Sequence, residues 1–144
     1  MKKNLLNIIF VLYSILSTSQ ILLPINFENN QITTDDFVNF DGGTGSVIEN
    51  PYNNVQNSSL TVGQIIRDGG QIWAGSYLVL ADYLDFSSNT HISMNVYSPI
   101  SGLTVKFKLE SDSGAQTERD TSTTLSNDWE TLTWSFAGEP SNTY

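Results

Sequence analysis

The 144 residues contain no cysteine. That excludes a disulfide framework, a lipidated N-terminal cysteine and any thiolate metal site, so the folded chain must rely on its core, and a metal would have to be held chiefly by oxygen. Histidine occurs once, as His91, and neither an H-E-x-x-H zinc helix nor a G-x-S-x-G nucleophile elbow is present. Positive charge is scarce as well: six Lys and Arg stand against fifteen Asp and Glu, a formal net charge of −9. Such a balance argues against nucleic acid or an anionic membrane as partner and suits a neutral or cation-linked one. Sustained helical periodicity is missing. The apolar run from Leu5 to Leu16 is shorter than the roughly 20 residues needed to cross a bilayer, so membrane insertion is not expected.

Around that run stands a secretory signal pattern. Lys2 and Lys3 precede it, and the small residues Ser17, Thr18 and Ser19 follow. Residues 1–19 are expected to be removed, leaving a secreted or cell-surface chain that starts at Gln20. Loss of the two lysines takes the net charge to about −11. Residues 20–144 suit one domain.

Period-two alternation bounded by Gly, Asn, Ser and Asp recurs along this domain, which predicts an all-β fold. Strands are expected at 22–27, 37–40, 46–49, 59–67, 72–81, 91–97, 103–110, 116–123 and 131–136. Short strands at this spacing suggest a β-sandwich or jelly roll. Alternation assigns faces. Ile92, Met94 and Val96 oppose His91, Ser93, Asn95 and Tyr97; Leu103, Val105, Phe107 and Leu109 oppose Thr104, Lys106, Lys108 and Glu110; Leu132, Trp134 and Phe136 oppose Thr131, Thr133 and Ser135. One side is core and the other a polar sheet face. After SFAGEPSNTY no further strand follows to pair with the first, which suggests a jelly roll lacking its last strand or strands.

Hydrolysis needs a paired acid and base or an oriented nucleophile. Glu118 with Asp120, and Asp128 with Glu130, each share one strand face, but they sit beside Ser- and Thr-rich turns with no sign of an apolar pocket to raise a pKa. Solvated strand edges are the expectation, and no enzyme. Asp35, Asp36 and Asp41 near the first strands, with Glu28 ending the first one, are oxygen ligands of the kind Ca²⁺ takes, but no EF-hand spacing is present and ordinary exposed acids in turns are the alternative.

The aromatics bear most on binding. Sugar receptors combine a flat aromatic platform with hydrogen-bonding side chains, and Trp and Tyr offer large area at low entropic cost. Trp134 falls on the Leu132 and Phe136 face and is expected in the core, whereas Trp129, where a turn enters a strand, is expected to plug the end of the sandwich. Trp73 is open. Alternation along 72–81 leaves neither face polar, which suggests a central strand, yet glycines on both sides allow close approach of a ligand.

In chain order, LPINFE (23–28), GGTGS (42–46), GGQIWAGSYLVLA (69–81), NVYSP (95–99) with VKFKLE (105–110), and NDWETLTWSF (127–136) resemble a galactose-binding-like β-jelly-roll module. The resemblance is to carbohydrate-binding modules of secreted bacterial polysaccharide-degrading proteins, of the laminarinase-associated type. It implies a non-catalytic module that holds an attached enzyme, or the cell surface, on a polysaccharide or oligosaccharide, with further domains covalently linked. It also implies a structural Ca²⁺, with Glu28 at the acidic end of the first strand and oxygens from the loop Asp41 to Ser46. Trp73 matches the tryptophan of the family's W-A-G stretch, and Trp134 a position filled by a core aromatic. The family's last strand, ending in an acidic pair, has no counterpart here. Glycan contacts are expected from Trp73, Arg67, Tyr97, Lys106, Lys108 and Glu110. The alternative is a structural or adhesive spacer domain of a multidomain surface protein.

Overall fold

The computed structural model describes residues 21–67 and 69–144. The expected signal segment, 1–19, lies outside the described residues. Among the described residues eight strands are formed: β1 (Val38–Phe40), β2 (Gly43–Glu49), β3 (Thr61–Arg67), β4 (Gly75–Tyr77), β5 (His91–Ser98), β6 (Thr104–Glu110), β7 (Gln116–Ser122) and β8 (Asp128–Ser135). A single 3-10 turn, Thr34–Asp36, precedes them, and among the described residues there is no α-helix. The fold is all-β.

The strands join in four antiparallel pairs, β1 with β4, β2 with β3, β5 with β8 and β6 with β7. In the β5–β8 ladder Ile92 faces Trp134, Met94 faces Leu132 and Tyr97 faces Trp129; in β6–β7 Leu109 faces Thr117 and Phe107 faces Arg119. The apolar sets of β5, β6 and β8 meet on one side. Leu109, Leu132, Trp134 and Phe136 are buried together with Leu84 and Phe86 from the connection before β5, while Met94 and Leu103 remain in contact with water at the margin. Trp134, 1% exposed, donates its indole N–H to the Val105 carbonyl, 3.1 Å away. β7 runs beside β8, tied by a side chain: Arg119 donates Nε–H to the Ser135 carbonyl at 3.0 Å and lies over the Phe136 ring.

Two expected strands are not continuous. Residues 22–27 form none, because their backbone groups bond a side chain in place of a neighbouring strand. Gln31 Nε2 donates to the Leu22 and Pro24 carbonyls, and Gln31 Oε1 accepts from Asn26 N–H. Only Ile21 bridges, in parallel, to Leu80. Of 72–81, only Gly75–Tyr77 is a strand. Gly69 and Gly70 both have positive φ, and Ala74 N–H closes a turn onto the Gln71 carbonyl, so Trp73 stands in a loop.

The last residues return to the core. Leu84 exchanges backbone bonds with Asn142 and Tyr144, and Glu139 receives Thr117, Arg119 and Tyr144, each within 2.6 to 2.7 Å.

Candidate functional site

Asp41 and Gly42 turn the chain out of β1 with positive φ at both residues, 54° and 104°. This turn is seated on the β3–β4 loop, where Gln71 N–H donates to the Asp41 carbonyl at 3.0 Å. Gly70, at φ 72°, comes so close that a β-carbon would overlap that same carbonyl oxygen, so only glycine fits. Arg67 ends β3 and folds back over the loop, its Nη2 donating to the carbonyls of Gln71 (3.2 Å) and Ile72 (2.9 Å). Trp73 projects from this clamp, 61% exposed, with Nε1–H donating to Asp41 Oδ2 at 2.7 Å.

The chemistry follows from that geometry. An indole has one polar atom, and here it is engaged by a carboxylate, which fixes the ring while most of the side chain stays in water. A fixed, exposed aromatic surface can stack on the C–H face of a sugar ring at little entropic cost. Arg67 adds a cation beside it. Among the described residues Arg67 makes no ion pair, whereas Lys106 pairs with Glu118 (2.7 Å) and Asp120 (3.1 Å), Lys108 with Glu110, and Arg119 with Glu139 (2.6 Å).

Of the residues expected to touch a glycan, the structure thus brings Trp73 and Arg67 together. Lys106, Lys108 and Glu110 lie apart from them on the exposed face of β6 and bond acids or each other. Glu118 and Asp120 hold the Lys106 ammonium above its ordinary pKa, keeping it charged. Tyr97 is half-buried. Its ring lies 3.8 Å from and parallel to that of Tyr52, with the Trp129 ring set edge-on, and burial there pushes its phenol above the ordinary value.

The residues expected to hold Ca²⁺ are spread along the β2–β3 ladder. Glu28 Oε1 accepts the backbone N–H groups of Leu60 (2.6 Å) and Thr61 (3.2 Å) at one end; Ser46 is opposite Gln64 in the middle; Asp41 lies by Arg67 at the other end. At roughly 3.3 Å per residue the ladder separates Glu28 from Asp41 by about 20 Å. Calcium takes its oxygens within about 2.6 Å, so no one ion can bridge them. Among the described residues no three His, Asp or Glu side chains gather into a metal-holding group.

The carboxylate pairs are engaged in structure. Glu118 and Asp120 converge on Lys106, while Glu130 accepts from the Thr124 and Leu125 backbone and the Thr124 hydroxyl, bonds that lower its pKa. A general acid requires the opposite shift. The recess bounded by Ile21, Leu23, Leu80 and Tyr83, about 190 Å³, is smaller than the clefts of roughly 300 to 1,000 Å³ that enclose small molecules.

Two contributors have little signal in the sequence. The Asp41–Trp73 bond spans 32 positions and has no local signal. Tyr52 lies in ENPYNN, a run of turn-forming residues in which a single aromatic ring is the available signal. No protein-family model, curated protein or solved structure matches the chain.

Proposed function

We propose that the chain is a secreted, non-catalytic carbohydrate-binding module with a galactose-binding-like jelly-roll architecture, acting to hold an attached enzyme or the cell surface on a polysaccharide. The observation that carries the reading is Trp73, exposed yet clamped by Asp41 and set beside Arg67. An indole left in water by a purely structural role has no need of a dedicated carboxylate partner and a glycine-backed loop. The engaged carboxylates support a module without turnover.

Titration of the protein with β-glucan, xylan and alginate tests this. Binding in the millimolar to micromolar range, roughly 4 to 8 kcal/mol, is expected for at least one of them. Binding to none would overturn the reading. A structural spacer is the second reading, favoured by the exposed apolar residues Ile65, Ile66, Val38 and Phe40, which suit contact with a neighbouring domain. It predicts that Trp73→Ala changes no binding property at all.

A further inference from the structure

On the β5–β8 ladder, alternation places Tyr97, Asn95 and Ser93 on the outer face with Trp129, Thr131 and Thr133. Trp129 is nonetheless buried, because the β2–β3 connection folds across this end of the face. Trp129 donates its indole N–H to the Tyr52 carbonyl at 2.9 Å, and the Tyr52 ring lies flat on Tyr97, 3.8 Å apart and 4° from parallel. Tyr52 is therefore the outermost of three rings in series. One of its faces is covered by Tyr97, yet the residue is 49% exposed, so the opposite face is in water.

The connection that carries Tyr52 is held by its own asparagines. Asn50 Oδ1 accepts Tyr52 N–H, Asn50 and Asn53 donate to the Ser59 carbonyl, and Asn54 accepts from Gln56 and Asn57, all at 3.0 Å. Next to the rings on the same sheet face runs a row of polar side chains. Thr131 bonds Asn95 at 2.7 Å and Thr133 bonds Ser93 at 2.9 Å, and all four residues are exposed. Each hydroxyl retains a further donor or acceptor position. A fixed aromatic face beside a flat row of hydroxyls and an amide is what a pyranose ring requires: stacking for its C–H face and partners for its hydroxyls. Packing alone accounts for burying Trp129, but not for leaving the Tyr52 ring half in solvent on a loop so fully braced.

We propose that Tyr52, with Asn95, Thr131, Ser93 and Thr133, forms a second saccharide-binding subsite. It rests on the glycan-binding reading above. Trp73 and Tyr52 flank opposite ends of the β2–β3 ladder, about 20 Å apart along it, so the two subsites take separate rings and give the module two footholds on a polymer.

The test is calorimetric titration of the full chain with trisaccharides of β-1,3-glucan, xylan and alginate, too short to span about 20 Å, repeated on Trp73→Ala, Tyr52→Ala, and Thr131→Val in the Trp73→Ala background. Two molecules of the best-bound trisaccharide per chain are expected for the unaltered protein and one for each aromatic variant. Thr131→Val, which keeps shape and leaves the ring stack intact, is expected to weaken the remaining site about tenfold. A single site that disappears wholly in Trp73→Ala would overturn this subsite and leave the proposed function standing. Thr131→Val without effect on the remaining site would likewise overturn it. No binding by the unaltered protein would overturn both.

Discussion

Trp134 and Trp73 both have a bonded indole N–H, yet only Trp134 is withdrawn from water. Truncating Trp134 leaves a cavity among Phe107, Phe136 and Val105, and Trp134→Ala is expected to cost about 3 to 5 kcal/mol. Trp73→Ala removes a side chain that buries little and is expected to change stability by about 0.5 kcal/mol or less while weakening glycan binding. Urea denaturation of both variants beside a binding titration checks the contrast. Trp134 was legible because Leu132 and Phe136 flank it at period two on a continuous strand. Trp73 was not, because the same periodicity runs on through a turn, and alternation carries no information once the backbone leaves the extended state.

Among the elements, the glycine-rich loop that presents Trp73 does two different things with two adjacent glycines. Gly69 and Gly70 share a positive φ, 77° and 72°, but a β-carbon on Gly69 meets nothing within 4 Å, whereas one on Gly70 runs into the Asp41 carbonyl. Gly69→Ala is expected to cost about 1 kcal/mol, the left-handed backbone term alone. Gly70→Ala adds an overlap worth about 1 to 3 kcal/mol and forces the Asp41 turn away from Trp73. Thermal melts should rank the two, and only Gly70→Ala should also reduce binding. A second element, the C-terminal return, rests on charge. Thr117, Tyr144 and Arg119 hold the Glu139 carboxyl below its ordinary value of 4.5, so its contribution is complete above that pH and is lost as acid protonates it. The Tyr144 phenol, bonded to Glu139, is pushed above its ordinary value of 10.0, so its contribution holds below that pH and fades in stronger base. Urea midpoints measured from pH 7 down to pH 3 should fall less steeply in Glu139→Gln than in the unaltered chain, and the variant should begin less stable at pH 7. The strands bounding these elements were legible wherever apolar and polar residues alternated over seven or eight positions, as in β5 and β6. Residues 22–27 alternate yet form no strand because their backbone groups bond the Gln31 side chain, a partner that no periodicity announces.

At the scale of the whole molecule, the all-β class was legible in the period-two alternation that recurs along the chain. Lys106 and Lys108, expected to face a glycan, are taken up by neighbouring acids, as is Arg119. What composition could not convey is how the four strand pairs are joined, since those links are made by single side chains distant in sequence, such as Arg119 on Ser135 and Trp129 on Tyr52. The path of the chain has a topological consequence as well. Ile21 bridges Leu80 and Tyr144 bonds Leu84, so the two ends of the described chain are moored to one segment, four residues apart, or about 13 Å if extended. Residues 21–144 trace nearly a closed ring, and the order in which their pairs are strung should matter little to their assembly. A permuted chain that joins residue 144 to residue 21 through a short Gly-Ser bridge and opens at Gly114, an exposed turn with free space around it, is expected to reach the same fold. Circular dichroism and the emission of the buried tryptophans would show it, and a permutant that stayed unfolded would mean that chain order, as well as contacts, directs the folding.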